Sequence, residues 1–151
     1  MRSMLFALIA TMLLAGCAGA FRKPYIARGV SQADAAAVAV EIAAYMGQLY
    51  PPARTTIAIE LPRFARWRDP VAPVLAESLR RGGFAVLETD TGVVVPPAAK
   101  RLGYSVSAWP DGLLVQIQLQ GTVASRWYAR GVNGGLVGVS PFAVKEAAYG
   151  Q

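Results

Sequence analysis

The sequence predicts an α+β domain in which two helices pack on a small mixed, mostly antiparallel sheet. Two segments with helical periodicity alternate with two short apolar segments in the first half of the chain. The second half contains alternating apolar segments separated by turn residues, a pattern typical of hairpins. Of the 151 residues, 54% are hydrophobic and 16% are charged, which is the composition of one globular domain. We therefore expect one core formed by residues 31–146, followed by a short tail at residues 147–151.

The first 16 residues have the pattern of a secretory signal peptide. One positive charge, at Arg2, precedes an apolar run over residues 4–14, and small residues follow the run. The run is shorter than the roughly 20 apolar residues that a permanent membrane-spanning helix needs. We therefore expect residues 1–16 to be removed from the mature protein.

The single cysteine of the sequence comes directly after this segment. Residues Leu14, Ala15, Gly16 and Cys17 resemble the lipobox of bacterial lipoproteins. The resemblance implies that the Cys17 thiol takes a diacylglycerol and becomes the new N-terminus, and several acyl chains on one residue anchor a protein stably. Ala18 follows where an aspartate would suggest inner-membrane retention, so the resemblance favours the outer membrane. An ordinary signal peptide that contains a cysteine is the alternative.

Residues 17–30 are predicted to form the lipidated cysteine and a tether. They contain glycine, proline and basic residues and show no sustained apolar period. As a coil, about 13 residues span about 20 Å. The folded domain would therefore lie close beneath the bilayer.

Ser31 is the predicted N-cap of the first helix, and Asp34 takes the capping-box position three residues later. Apolar residues then recur at helical spacing, at Val38, Ile42, Tyr45 and Leu49. The other side of the helix carries Asp34, Glu41 and Gln48. We interpret the apolar stripe as a core face rather than a membrane or partner face, because the downstream strands need a cover. Two prolines at residues 51 and 52 end the helix.

A predicted strand at residues 55–61 is followed by a basic and aromatic segment at residues 63–68. Three arginines there are interleaved with Phe64 and Trp67. This composition suits phosphate, single-stranded nucleic acid or lipid headgroups, but also a solvated loop with its rings on the core, which we favour. A periplasmic location argues further against nucleic acid. Phe64 and Trp67 are nevertheless a candidate interface.

A second helix begins at Asp69 and Pro70, since aspartate suits the N-cap and proline the first helical position. Two arginines and two glycines at residues 80–83 predict its end. A strand at residues 84–88 follows, and the long connection over residues 89–102 can hold a short strand at residues 93–95.

The remaining residues predict antiparallel strands. Strands at residues 104–109 and 114–120 flank a Pro-Asp-Gly turn, and in the second strand Val115, Ile117 and Leu119 alternate with glutamines, which predicts one buried and one wet face. The strand at residues 123–130 places Arg126, Tyr128 and Arg130 on one side. That side is either solvated sheet surface or a protein interface, for which tyrosine and arginine are typical. Pro141 predicts an edge or a bulge within a last strand at residues 136–145.

The composition excludes several classes of catalytic site. The chain has no histidine, which removes Ser-His and Cys-His nucleophiles and histidine-liganded zinc. We find no catalytic, cofactor-binding or metal-binding motif. We therefore expect a protein that is not an enzyme and needs no cofactor.

Several segments distributed along the chain resemble the TrbH family of conjugal transfer lipoproteins. After the lipobox cysteine and the alanine-rich helix, they lie at residues 51–56, 79–86, 112–115, 124–128 and 141–144. The resemblance implies an outer-membrane lipoprotein that faces the periplasm and takes part in mating pair formation by a conjugative type IV secretion system. It implies a core-complex ring with two larger subunits resembling TrbG and TrbI, and no direct contact with nucleic acid. By fold analogy alone, the domain would be like the secretin N-terminal domain.

A ligand-binding role is the alternative function. An envelope lipoprotein of this kind would assist a lipid-transport ATPase by offering an apolar groove, and the wet glutamine face argues against a deep one. For the assembly role, the first predicted contact surface consists of Arg126, Tyr128 and Arg130 with the adjacent Pro141 edge.

Overall fold

The computed structural model describes residues 29–61, 69–89 and 94–146, together with the backbone of Tyr25–Ile26. The described chain contains two α-helices, a short 3-10 helix at Pro52–Arg54 and eight strands, and it confirms the predicted α+β class. In chain order the α-helices and strands are β1 Tyr25–Ile26, α1 Gln32–Leu49, β2 Thr56–Glu60, α2 Val71–Arg81, β3 Ala85–Thr89, β4 Lys100–Trp109, β5 Gly112–Leu119, β6 Thr122–Arg130, β7 Leu136–Gly138 and β8 Ala143–Glu146. The predicted signal peptide, the lipobox, residues 62–68 and the tail at residues 147–151 lie outside the described residues.

The strands form one mixed sheet in the order β3-β2-β4-β5-β6-β7. The chain pairs β2 in parallel with both β3 and β4, whereas β4, β5, β6 and β7 are successively antiparallel. Two short strands lie beside this path: β1 is parallel to β4, and β8 is antiparallel to β6. The mixed, mostly antiparallel sheet that the sequence predicts is therefore confirmed. The likeness to the secretin N-terminal domain stays a prediction.

Helix α1 begins as the sequence predicts. Asp34 N–H donates to Ser31 Oγ at 3.1 Å, and Ser31 N–H donates to Asp34 Oδ2 at 3.3 Å, which completes a capping box. Val38 and Ile42 are buried in the core, so the interpretation of the stripe as a core face is confirmed. It is wrong at Leu49, which is 45% exposed, because Met46 fills the core one turn earlier.

Helix α2 is joined to the sheet through its cap. Asp69 Oδ1 accepts hydrogen bonds from the backbone N–H groups of Val71 and Ala72, at 2.8 and 3.2 Å. The Tyr104 hydroxyl on β4 donates to the second carboxylate oxygen, Oδ2. Both side chains are buried, and burial raises the pKa of Tyr104 well above its usual value. The predicted cap therefore also positions α2 against the central strand.

The β4–β5 hairpin and its buried face are confirmed. A two-residue connection at Pro110 and Asp111 joins the strands, and Trp109 pairs with Gly112. The inward-facing residues of β5 are buried, whereas Gln116 and Gln118 are partly exposed on the opposite face. The buried set consists of Leu113, Val115, Ile117 and Leu119.

Three strand predictions need correction. The predicted tether is wrong at Tyr25–Ile26, because these residues pair with Ser105 and Val106 of β4. The prediction of one last strand at residues 136–145 is also wrong. Two strands form there instead, with Pro141 between them: β7 pairs near one end of β6 and β8 near the other. Val94 and Val95 are not in a strand, and residue 93 lies outside the described residues.

Candidate interaction sites

The first predicted contact surface faces the helices. Tyr128 on β6 pairs directly with Leu113 on β5, and Arg126 pairs with Val115. Directly paired residues point to the same face of a sheet, and both β5 partners are fully buried. The side of β6 that carries the arginines is therefore the side covered by α1.

Tyr128 is a core residue. Only 2% of it is exposed, and burial raises the pKa of its hydroxyl to about 12 although the Arg126 guanidinium counteracts this effect. The prediction that Tyr128 contributes to a solvated surface or a partner interface is therefore wrong. The physical reason is its cross-strand position beside Leu113, which the alternation within β6 alone does not reveal.

Arg126 contacts side chains of α1, of its own strand β6 and of the loop before β8. Its guanidinium forms an ion pair with Glu41 of α1. Its Cζ lies 5.2 Å from the ring centroid of Tyr128 and 5.5 Å from that of Phe142, in cation–π geometry. A Cβ on Gly138 would lie against the same guanidinium, closer than van der Waals contact. Glycine on β7 therefore leaves the space through which the Arg126 side chain reaches α1.

Arg130 makes the second contact with α1. Its Nη1 and Nη2 donate to Asp34 Oδ1 and Oδ2 at 3.1 and 3.0 Å, a bidentate arrangement. Nη1 also donates to the carbonyl oxygen of Gly134 at 2.7 Å. Burial alone would raise the pKa of Asp34, but hydrogen bonds from Arg130 and Ser31 outweigh it and hold that pKa below its usual value.

These two ion pairs form what we call the arginine clamp: Arg126 with Glu41, and Arg130 with Asp34. Asp34 and Glu41 are seven residues apart, so they lie two turns apart on one side of α1. That side faces β6, so the interpretation of these acids as a polar side away from the sheet is wrong. Arg126 and Arg130 lie four residues apart on one side of β6, opposite these two acids. This pairing of two spaced arginines with two spaced acids is the signal in the sequence that could have revealed the clamp.

The second predicted contact surface, Phe64 with Trp67, lies outside the described residues, as does Cys17. Their roles remain predictions. Within the described ranges, no helix is long and apolar enough to cross a membrane. In the same part of the chain, no three acidic or cysteine side chains come together in a way that could hold a metal ion.

A shallow groove lies between the two helices. It measures about 420 Å³, and α1 contributes the exposed residues Val40, Ala44 and Gly47 to its wall. Arg81 and Phe84 line the other side. The groove is wide open to solvent, which does not match the enclosed apolar site that would hold an acyl chain.

Comparison with known proteins gives one match. A family model described as conjugal transfer protein TrbH matches residues 20–147. No curated protein and no solved structure matches the chain significantly.

Proposed function

Because this chain belongs to the TrbH family of conjugal transfer proteins, we propose that it is a lipid-anchored, non-enzymatic assembly subunit of a conjugative type IV secretion apparatus. The family match is the observation that carries the proposal, since it covers the entire described domain.

The proposed anchor is the lipid on Cys17, in the outer membrane with the domain in the periplasm. The lipobox residues Leu14, Ala15 and Gly16 directly precede Cys17, and the family match starts shortly after it, at residue 20. This order is what an exported lipoprotein with a short tether requires.

The proposed partners are the two larger core-complex subunits that resemble TrbG and TrbI, assembled with this chain in a ring. The clamp pairs Arg126 and Arg130 with acidic residues of α1 within the domain, so we propose a different surface for the contact with these subunits. Phe64 and Trp67 are the remaining pair proposed from the sequence, because aromatic residues beside arginines are frequent in interface hot spots.

The anchor is tested with Cys17→Ser in cells that carry out conjugation. We expect loss of acylation, release of the protein from the outer-membrane fraction and reduced DNA transfer. The matched control is Ser140→Ala, which changes a hydroxyl on a described loop and should leave all three readouts unchanged. Normal acylation or normal membrane attachment of the Cys17→Ser variant would contradict the proposed anchor.

The assembly role is tested by affinity purification of the acylated chain from membranes. We expect it to bring down the ring-forming secretion subunits in stable proportion. Recovery with phospholipid and a transporter ATPase, without secretion subunits, would support the alternative ligand-binding function instead and overturn this proposal.

A further inference from the structure

The strongest unexplained surface feature is a cluster of exposed apolar side chains at one end of the sheet. Trp109 closes β4, Val137 lies on β7, and Val132 and Val139 flank β7 in the chain. Trp109 and Val137 are each 60% exposed, Val139 is 57% exposed and Val132 is fully exposed. We call these four residues the hairpin-end patch.

Strand register places Trp109 and Val137 of this patch on the sheet face opposite the helices. Trp109 pairs with Gly112, Gly112 with Ala129 and Ala129 with Val137. These paired positions form one row across β4, β5, β6 and β7, with Trp109 and Val137 at its two ends. Three strand spacings of about 4.8 Å give this row a width of about 14 Å. Because the arginine clamp occupies the other face, the row does not belong to the core.

The partly buried ring of Trp127 lies next to the patch. A Cβ on Gly112 would lie 3.0 Å from Trp127 Cζ2, so the Trp127 ring lies over Gly112, within the row. The Val139 N–H donates to the carbonyl oxygen of Trp127 at 3.2 Å, which brings Val139 beside it. Trp127 and Val139 thus lie beside the row that ends in Trp109 and Val137, and Asp111 in the adjoining turn carries a charge at its rim.

The position of β1 limits how far this patch lies from the anchor. Cys17 precedes Tyr25 by eight residues, and Tyr25 pairs with Ser105 of β4. Eight residues reach at most about 28 Å when fully extended. From Ser105 to Trp109 the strand advances about 13 Å. Because β1 is parallel to β4, the chain enters β1 from the end of β4 that lies away from Trp109. The reach of about 28 Å nevertheless exceeds this advance of about 13 Å, so a lipid on Cys17 allows the hairpin-end patch to touch the bilayer surface.

From these observations we propose that the hairpin-end patch rests on the phospholipid surface to which the chain is anchored. Tryptophan, with an apolar ring and a polar N–H, favours the membrane–water interface, and exposed valines gain free energy when lipid replaces water around them. With Asp111 as the charge at its rim, the contact depends on apolar burial rather than on attraction to anionic lipid. The inference rests on the proposed lipidation of Cys17.

The test places a probe on each of two matched valines in the full chain. Val137 lies in the patch, whereas Val144 on β8 is 57% exposed and lies toward the other end of β6. Since Cys17 is the single cysteine and is blocked by lipid, Val137→Cys and Val144→Cys each provide one free thiol for an environment-sensitive fluorophore. Each acylated variant is reconstituted in vesicles of phosphatidylethanolamine and phosphatidylglycerol, with quenchers either in the acyl chains or in water.

We expect the probe at residue 137 to shift its emission to the blue and to lose emission to the lipid quencher, at low and high salt alike. The probe at residue 144 should lose emission only to the aqueous quencher. Equal behaviour of the two probes would overturn the inference. Protection of residue 137 from both quenchers would also overturn it, since that result indicates a second protein chain on the patch.

The mass of the reconstituted protein separates the two proposals. An acylated chain whose residue 137 stays in water contradicts the membrane contact but leaves the anchor intact. A chain without acyl groups contradicts the anchor and, with it, the present inference.

Discussion

Gly138 shows how one missing side chain permits a distant ion pair. A Cβ at this position would overlap the Arg126 guanidinium that pairs with Glu41, whereas nothing lies within 4 Å of a Cβ added to Gly47 in α1. We expect Gly138→Ala to lower the free energy of unfolding by about 1–3 kcal/mol, the usual range for overpacking. Gly47→Ala should instead raise it by about 0.5–1 kcal/mol, because alanine suits a helix interior better. Urea denaturation of both variants measures the difference, and equal signs would contradict the packing described.

Asp34 links stability to pH. Its pKa is lowered in the folded state, so its contribution is present above the ordinary aspartate pKa and is lost as the pH falls through the folded value. We expect Asp34→Asn to cost about 1–2 kcal/mol at neutral pH, where it removes hydrogen bonds to a charged group. The difference from the parent chain should shrink as the pH is lowered.

The control for this titration is Glu77→Gln, whose pair with Arg81 is largely exposed. It should change the urea midpoint little at any pH. The difference in free energy of unfolding between Asp34→Asn and the parent chain should not stay constant down to strongly acidic pH. A constant difference would show that Arg130 does not stabilise the carboxylate.

Among the elements, α2 depends on one buried hydrogen bond to β4. Tyr104→Phe removes the hydroxyl that donates to Asp69 Oδ2 and leaves that oxygen buried without this donor. We expect a loss of about 1–3 kcal/mol in the free energy of unfolding. Hydrogen exchange should locate the weakening in the first turn of α2, while the amides of β5 stay protected. Uniform loss of protection would mean that the bond does not act on α2 specifically.

The register of β5 gives a second test at this scale. Ile117 is fully buried, so Ile117→Ala should cost about 2–5 kcal/mol. Gln120 lies one residue beyond the strand and is exposed, so Gln120→Ala should change stability by less than about 0.5 kcal/mol. Similar urea midpoints for the two variants would show that the buried face has been assigned wrongly.

Sequence patterns predicted those elements whose signals are local. The capping box at Ser31, the cap at Asp69 and the alternation of β5 all depend on residues a few positions apart. The face of β6 could not be found in this way, because each side of that strand mixes polar and apolar residues. Its arginines face inward only because α1 supplies Asp34 and Glu41, about 90 residues away in the chain. Likewise, the two residues of β1 form a strand only because β4 lies beside them.

For the whole molecule, the assembly role predicts a separation between folding and function. Changing Phe64 and Trp67 together to Ala should lower DNA transfer and the recovery of core-complex subunits, since both aromatic contacts would be lost. Acylation and the urea midpoint should stay close to those of the parent chain. Normal transfer by the double variant would exclude this pair as the contact, and a large fall in the midpoint would show that the rings pack on the core.

Strand β1 would transmit a pull on the proposed Cys17 anchor to the sheet. It consists of two residues, it precedes the rest of the domain and it is paired with β4 alone. Because its pairing is shorter than that of any other described strand, tension between the membrane and an attached machine would detach β1 first. Its release would add the six residues from Tyr25 to Val30 to the tether, about 20 Å of extra length, without breaking the clamp or the hairpins. With the proposed anchor in place, such a pull would therefore lengthen the tether before it unfolds the domain.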